Sequence, residues 1–108
     1  MVTQIQIEQL VKEIANGYKP EKIYLFGSYA NGTANYDSDI DLFIVKDTNV
    51  RKKDRHEMVL NSFDFKYYPN VGLDFIIYTP QELENTKDDF FNIAKEAIKT
   101  GRLLYEKL

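Results

Sequence analysis

The chain predicts a small α/β fold, a mixed β-sheet with helices mainly on one face, and three observations carry that reading. Apolar residues recur at helical spacing near the N-terminus, at Ile7, Leu10, Val11, Ile14 and Ala15. Short runs rich in β-favouring residues follow at 22–26, 39–45 and 71–78. A second helical stretch then opens at Thr79-Pro80-Gln81-Glu82, a capping box with proline at the first helical position. With 108 residues, 44% hydrophobic and 29% charged, there is material for one small core, so residues 1–108 are expected to form a single domain.

The elements follow in order. An amphipathic helix is expected from Thr3 to Gly17, with Gly17 as its stop, to cover the sheet. Pro20 separates it from Lys22-Ile23-Tyr24-Leu25-Phe26, a buried first strand that ends at Gly27-Ser28. The second strand, Asp39 to Val45, turns Asp39, Asp41 and Phe43 to one face and Ile40, Leu42 and Ile44 to the other. Residues 47–56 are charged and start a helix toward Phe63 whose apolar face is poorly defined. The aromatic run Asn61 to Asn70 is either a strand or the end of that helix, and Val71 to Tyr78 reads as a buried strand. One helix is expected from Thr79 through Leu83, Phe90, Ile93, Ala94, Ala97 and Ile98 to a stop at Gly101, before a tail that forms an edge strand or a docked turn.

The chemistry gathers between Tyr24 and Val45. Gly27 lets the backbone approach a ligand closely, and Ser28 is a good N-cap, so a short helix starting there would present amides to an anionic oxygen. Ten residues separate Ser28 from Asp39, enough for a helical turn and a return to the neighbouring strand. Asp39 and Asp41 project from one face about 7 Å apart, at roughly 3.3 Å of rise per residue. Their oxygens suit Mg²⁺, which commonly shares its shell with substrate phosphates. Asp74, a lone charge inside the run Val71 to Tyr78, would carry a large desolvation cost unless a metal or a paired group offsets it. Three aspartates on two strands can bridge two Mg²⁺ ions about 3.5–4 Å apart, the arrangement that serves phosphoryl and nucleotidyl transfer. Taken singly, Gly27-Ser28 is an ordinary strand-to-helix turn, and Ser38-x-x-Asp41 reads equally as a capping box.

Together, Gly27-Ser28, the ten-residue spacing, Asp39-Ile40-Asp41-Leu42 and Asp74 resemble the motif of the polymerase-beta-like nucleotidyltransferase superfamily. More closely, the chain is similar to the minimal nucleotidyltransferases that pair with helical HEPN proteins as toxin–antitoxin systems. The resemblance implies an enzyme that moves a nucleoside monophosphate, AMP from ATP or another nucleoside triphosphate, to an acceptor hydroxyl. It implies that Asp39, Asp41 and Asp74 hold two Mg²⁺ ions, that Asp74 also helps deprotonate the acceptor, and that Gly27 and Ser28 bind the β- and γ-phosphates. The implied acceptor is a tyrosine of the HEPN partner. A non-catalytic antitoxin that covers its partner is the alternative, and small-molecule transfer of the aminoglycoside type is a third reading. Many relatives read G-S-R-A-R-G, whereas Tyr29 and Asn31 stand here where arginines often do.

Charge narrows the partners. A net charge of −3 and a pI near 5.1 argue against a grip on long nucleic acid. The chain has no cysteine, hence neither disulfide nor thiolate zinc site, and no apolar run approaches the ~20 residues of a membrane span. No secretory leader is evident, so a cytoplasmic location is expected; a homo-oligomer is compatible with the sequence. His56 is read as a solvated side chain, and Arg51, Lys52, Lys53 and Arg55 as an exposed face. Tyr67 and Tyr68 are read as core or partner interface rather than a stacking platform, because no basic groove accompanies them.

Overall fold

The structure, a computed structural model, describes residues 1–64, 72–89 and 92–108. Helix α1 (Gln4–Tyr18) is capped by Thr3, whose hydroxyl accepts from the Gln6 amide while the Gln6 side chain accepts from the Thr3 amide. Its buried stripe is Ile7, Leu10, Val11, Ile14 and Tyr18. The helix does not stop at Gly17. It ends one residue later, with Lys19 in the left-handed region at φ 57° and Pro20 behind it. Gly17 serves packing instead, since a Cβ there would stand 3.0 Å from the Ser62 carbonyl carbon and nearer still to its oxygen.

Strand β1 (Lys22–Phe26) leads through Gly27 into the single turn α2 (Ser28–Asn31), and β2 (Ile40–Val45) returns beside β1. A 3-10 turn at Lys52–Asp54 opens α3 (Arg55–Leu60), which is followed by β3 (Leu73–Tyr78). Two helices then stand where one was expected, α4 (Pro80–Thr86) and α5 (Ile93–Thr100). The break has a local cause. Asn92 caps α5 by accepting from the Lys95 amide, and its side-chain nitrogen donates to the Thr86 carbonyl at the end of α4. The tail forms β4 (Arg102–Glu106), which resolves the choice between edge strand and docked turn. Phe65, Tyr67, Tyr68, Val71 and Phe90, assigned to a helix, strand or interface from the sequence, lie outside the described residues.

The sheet is mixed, in the order β3-β2-β1-β4. β1 runs antiparallel to β2 and β4, and β2 runs parallel to β3. Ile23 and Leu25 of β1, Ile40, Leu42 and Ile44 of β2, and Phe75 and Ile77 of β3 pack on α1 and on Val59 of α3 in the larger core. The opposite face holds a smaller cluster, Phe43, Val45 and Tyr78 under Ala94 and Ala97 of α5, with Leu83 of α4 packed against it. Most of the helical cover is therefore on one face, and α5 closes part of the other. Among the described residues no helix is long and apolar enough to cross a membrane.

Candidate active site

Register brings the aspartates together. In the parallel pair Asp41 lies opposite Asp74, and in the antiparallel pair Phe26 lies opposite Asp41, so Gly27 turns the corner beside the Asp41 carboxylate. A Cβ on Gly27 would stand 3.1 Å from Asp41 Cγ, and its φ of 75° is strained for other residues. Asp39 precedes β2, where the Ile40 amide donates to the Gly72 carbonyl at 2.9 Å. That bond presses Gly72 against Asp39, and a Cβ on Gly72 would meet Asp39 Cγ at 2.6 Å. Both glycines leave room for a carboxylate.

Gly72 was missed in the sequence reading. Its signal was available, a glycine two residues before an aspartate in an apolar run, but its reason is a contact with a residue 33 positions away and follows only from the β2–β3 pairing.

The burial premise for Asp74 needs correction. Asp74 is exposed at the start of β3, and Asp39 is exposed too, whereas Asp41 is half-buried. Asp41 is the carboxylate that bears the desolvation cost. Burial, the charges of Asp74 and Asp39, and a hydrogen bond with Asp74 push its pKa up to about 6. Among the described residues none of the three carboxylates is in a salt bridge.

This donor set fits a hard divalent cation. Asp41 and Asp74 share a hydrogen bond and Asp39 is close enough to raise the Asp41 pKa, while no group of three His, Cys, Asp or Glu side chains among the described residues is gathered closely enough to hold a metal ion. An open carboxylate set is what Mg²⁺ uses when waters and phosphates supply the remaining ligands.

The anion side also differs in detail. Gly27, not Ser28, is the N-cap of α2, because the cap conformation lies at positive φ; Ser28 is the first helical residue. Gly32 closes the turn at φ 82°, its amide donating to the Ser28 carbonyl. Tyr29 turns inward against the larger core and accepts from the Val2 amide through its hydroxyl. Asn31 accepts from the Thr33 amide and hydroxyl. Neither reproduces an arginine.

Arg55 overturns its reading as part of an exposed face. It is buried, and its guanidinium donates to the Val50 and Ile77 carbonyls and to both oxygens of Glu82. Arg51, Lys52 and Lys53 are exposed, as read. His56 is exposed as well, with its ring 5.1 Å from that of Phe75.

The fold defines the class of protein first. It is similar to a candidate nucleotidyltransferase from Sulfolobus solfataricus, with a TM-score of 0.61, 24% identity and coverage of 94% of this chain and 78% of that one. It is similar also to a toxin–antitoxin structure with AMP-PNP, with a TM-score of 0.65, 20% identity and coverage of 93% and 73%. A mutant of the toxin–antitoxin pair MntA–HpeT matches with a TM-score of 0.61, 17% identity and coverage of 98% and 75%. At these identities the likeness shows the nucleotidyltransferase fold.

Sequence shows the family. Residues 8–108 match the model of the polymerase beta nucleotidyltransferase domain, and the chain belongs to that family. A Methanocaldococcus jannaschii protein named as a candidate protein adenylyltransferase is 33% identical over 104 residues, which cover 91% of this chain and 97% of the relative. A second protein of that organism, with the same kind of name, is 38% identical over 63 residues; the match takes in 56% of this chain and 43% of the relative's length.

Proposed function

We propose that residues 1–108 act as one nucleotidyltransferase unit that moves AMP from ATP to an acceptor hydroxyl on a protein, a tyrosine of a helical HEPN-type toxin. The observation that carries this reading is the β2–β3 register, which sets Asp41 against Asp74 with Gly27 at the same corner. The names of the Methanocaldococcus jannaschii relatives support AMP and a protein acceptor, and the toxin–antitoxin neighbours support the partner. A cytoplasmic setting follows from that partnership.

Asp39, Asp41 and Asp74 would hold Mg²⁺, two ions in this reading, which when bound supplies charge neutralisation at the phosphates and lowers the acceptor's proton affinity. Gly27 lets the triphosphate approach, and the first-turn amides and the Ser28 hydroxyl hold its β- and γ-phosphate oxygens. The acceptor oxygen attacks the α-phosphorus, its proton passes to the Asp74 carboxylate, and the bond to the bridging oxygen breaks with release of pyrophosphate. Asp74 suits the proton because it is exposed, whereas Asp41 is half-buried behind it.

Label transfer from α-phosphate-labelled ATP with Mg²⁺ in extract of the source cell tests the reading. A labelled protein that is lost with Asp39→Asn/Asp41→Asn establishes the enzyme and its acceptor. If GTP, CTP or UTP labels instead, the base assignment fails. If no triphosphate labels anything while a partner is still bound, the chain is a non-catalytic antitoxin. That second reading is favoured by one observation, the engagement of Tyr29 and Asn31 in packing and turn bonds where relatives often carry arginines.

A further inference from the structure

Six tyrosines stand among the described residues, and five of them are engaged by the fold. Tyr18 and Tyr78 are buried, and Tyr24 stands edge-on to Phe43 with ring centres 6.2 Å apart. Tyr105 packs against the larger core, and the Tyr29 hydroxyl accepts from the Val2 amide. Tyr36 is the exception. It is 87% exposed, and among the described residues no hydrogen bond, ion pair or ring contact engages it.

A single exposed aromatic is ordinary in itself. Its place in the chain sets this one apart, because Tyr36 lies in the connection between Gly27-Ser28 and Asp39, three residues before the first carboxylate of the site. The turn that carries it is braced. The Asn35 amide donates to Ser38 Oγ at 2.9 Å, the Asp37 amide to Asn35 Oδ1 at 2.8 Å, and the Ser38 amide to the Asn35 carbonyl at 3.1 Å. These bonds fix the backbone on either side of Tyr36. A side chain so exposed packs on nothing, so its hydroxyl does not rest on the carboxylates of its own copy, and the turn would have to open for it to do so. Asp74 is exposed as well, and an acceptor can therefore come to it from another molecule.

We propose that Tyr36 is a modification site for the chain's own activity, and that one copy transfers AMP from ATP to the Tyr36 hydroxyl of a second copy. The Tyr36 oxygen bonds to the α-phosphorus of the ATP held by the first copy, and its proton passes to that copy's Asp74. The bond from the α-phosphorus to the bridging oxygen breaks, and pyrophosphate leaves. The product is a tyrosyl phosphodiester, the same linkage that transfer to a toxin tyrosine would form. The proposal rests on the transfer reading above, in which the acceptor is a tyrosine, and extends it to an acceptor carried by the chain itself.

The test uses the whole chain, free of any partner, with α-phosphate-labelled ATP and Mg²⁺, read by intact mass and peptide mapping. One adenylyl group should appear on Tyr36, and Tyr36→Phe should lose it. Labelling per molecule should rise in proportion to protein concentration, as a reaction between two copies requires. A mixture sharpens this. Tyr36→Phe chains, which keep the whole site, should label added Asp41→Asn chains, which keep the tyrosine but lack the central carboxylate. Label on Tyr67, Tyr68 or another residue while Tyr36 stays bare overturns the proposal, as does an unlabelled Asp41→Asn chain in the mixture. Labelling per molecule that is independent of concentration assigns the step to one copy acting on itself, which overturns transfer between copies. Extract of the source cell separates the two readings. If Tyr36→Phe labels an extract protein while the natural chain never labels itself, self-modification alone fails. If the natural chain labels its own Tyr36 and no protein of the extract, the toxin tyrosine fails as acceptor and self-modification stands. Label in neither place sinks both.

Discussion

Two places in this molecule bring charged side chains out of full solvent, and they treat them in opposite ways. At the corner where β1 ends and β2 and β3 begin, Asp41 lies against Asp74 with the charge of Asp39 near by and no salt bridge to any of the three among the described residues, and the Asp41 pKa is driven up to about 6. Beneath α4, Arg55 is buried with donors matched to two carbonyls and to both Glu82 oxygens, while Glu82 also accepts from the Thr79 amide of its own capping box. The Arg55 contact comes first among the causes that hold Glu82 below the usual glutamate range. One site leaves its repulsion unrelieved and the other satisfies every charge. The difference separates function from scaffold, because unrelieved repulsion persists only where something bound from outside is expected to relieve it.

The sharpest way to break the contrast is Asp41→Asn. Transfer should fall by about 10³-fold or more, since a cation ligand is lost at the centre of the site. Stability should move the other way. A carboxyl whose folded pKa is raised holds its proton more tightly when folded, so the fold loses stability as pH rises from the unfolded value of 3.8 through about 6. Removing the charge should recover on the order of 1 kcal/mol at pH 7, discounted for solvent screening. Urea unfolding of the metal-free protein checks it, and a less stable variant would contradict the account of the corner.

At the other site Arg55→Ala should cost about 3–5 kcal/mol, because it strands a half-buried carboxylate and two carbonyls. An unfolding midpoint within error of the natural chain would show that the pair is dispensable. Gly72→Ala comes next. It should turn the Asp39 side chain aside and reduce kcat about 10²-fold, the scale of a 1 Å misplacement, with a small change in stability. Steady-state kinetics beside thermal unfolding would separate those effects.

The smallest effect is a matter of pH. Glu82 has a lowered folded pKa, so its contribution is present above the unfolded value of 4.5 and is lost as pH falls through the folded one. Glu82→Gln should therefore be less stable than the natural chain at neutral pH, and the gap should narrow under acid. A gap that is constant from neutral pH into the acid range would mean that packing, rather than charge, holds α4.

Much of this was legible without coordinates, because it depends on near neighbours in the chain. The stripe Ile7, Leu10, Val11, Ile14, the strand Lys22–Phe26 and the capping box at Thr79 all follow from backbone periodicity and local hydrogen bonds. Gly27-Ser28, Asp39-x-Asp41 and Asp74, in that order and at that spacing, were together sufficient to suggest the family. Asn92 as a cap that divides the last helix was also local, and was hidden because apolar residues at helical spacing continue across it.

What tertiary structure alone decided concerns residues far apart in sequence. A charged segment offers no means of telling which of Arg51, Lys52, Lys53 and Arg55 turns inward; the choice fell to Arg55 because Glu82 and the Ile77 carbonyl are waiting there. Gly17 reads as a helix stop until Ser62 is brought against it, and Gly72 reads as one more residue of a buried strand until Asp39 is. Asp74 reads as a buried charge until β3 is found to begin only one residue before it, which leaves it exposed and transfers the desolvation to Asp41. Periodicity states which way a side chain points, but only the pairing of strands and the packing of helices states what it meets, and charge, burial and close approach are properties of that meeting.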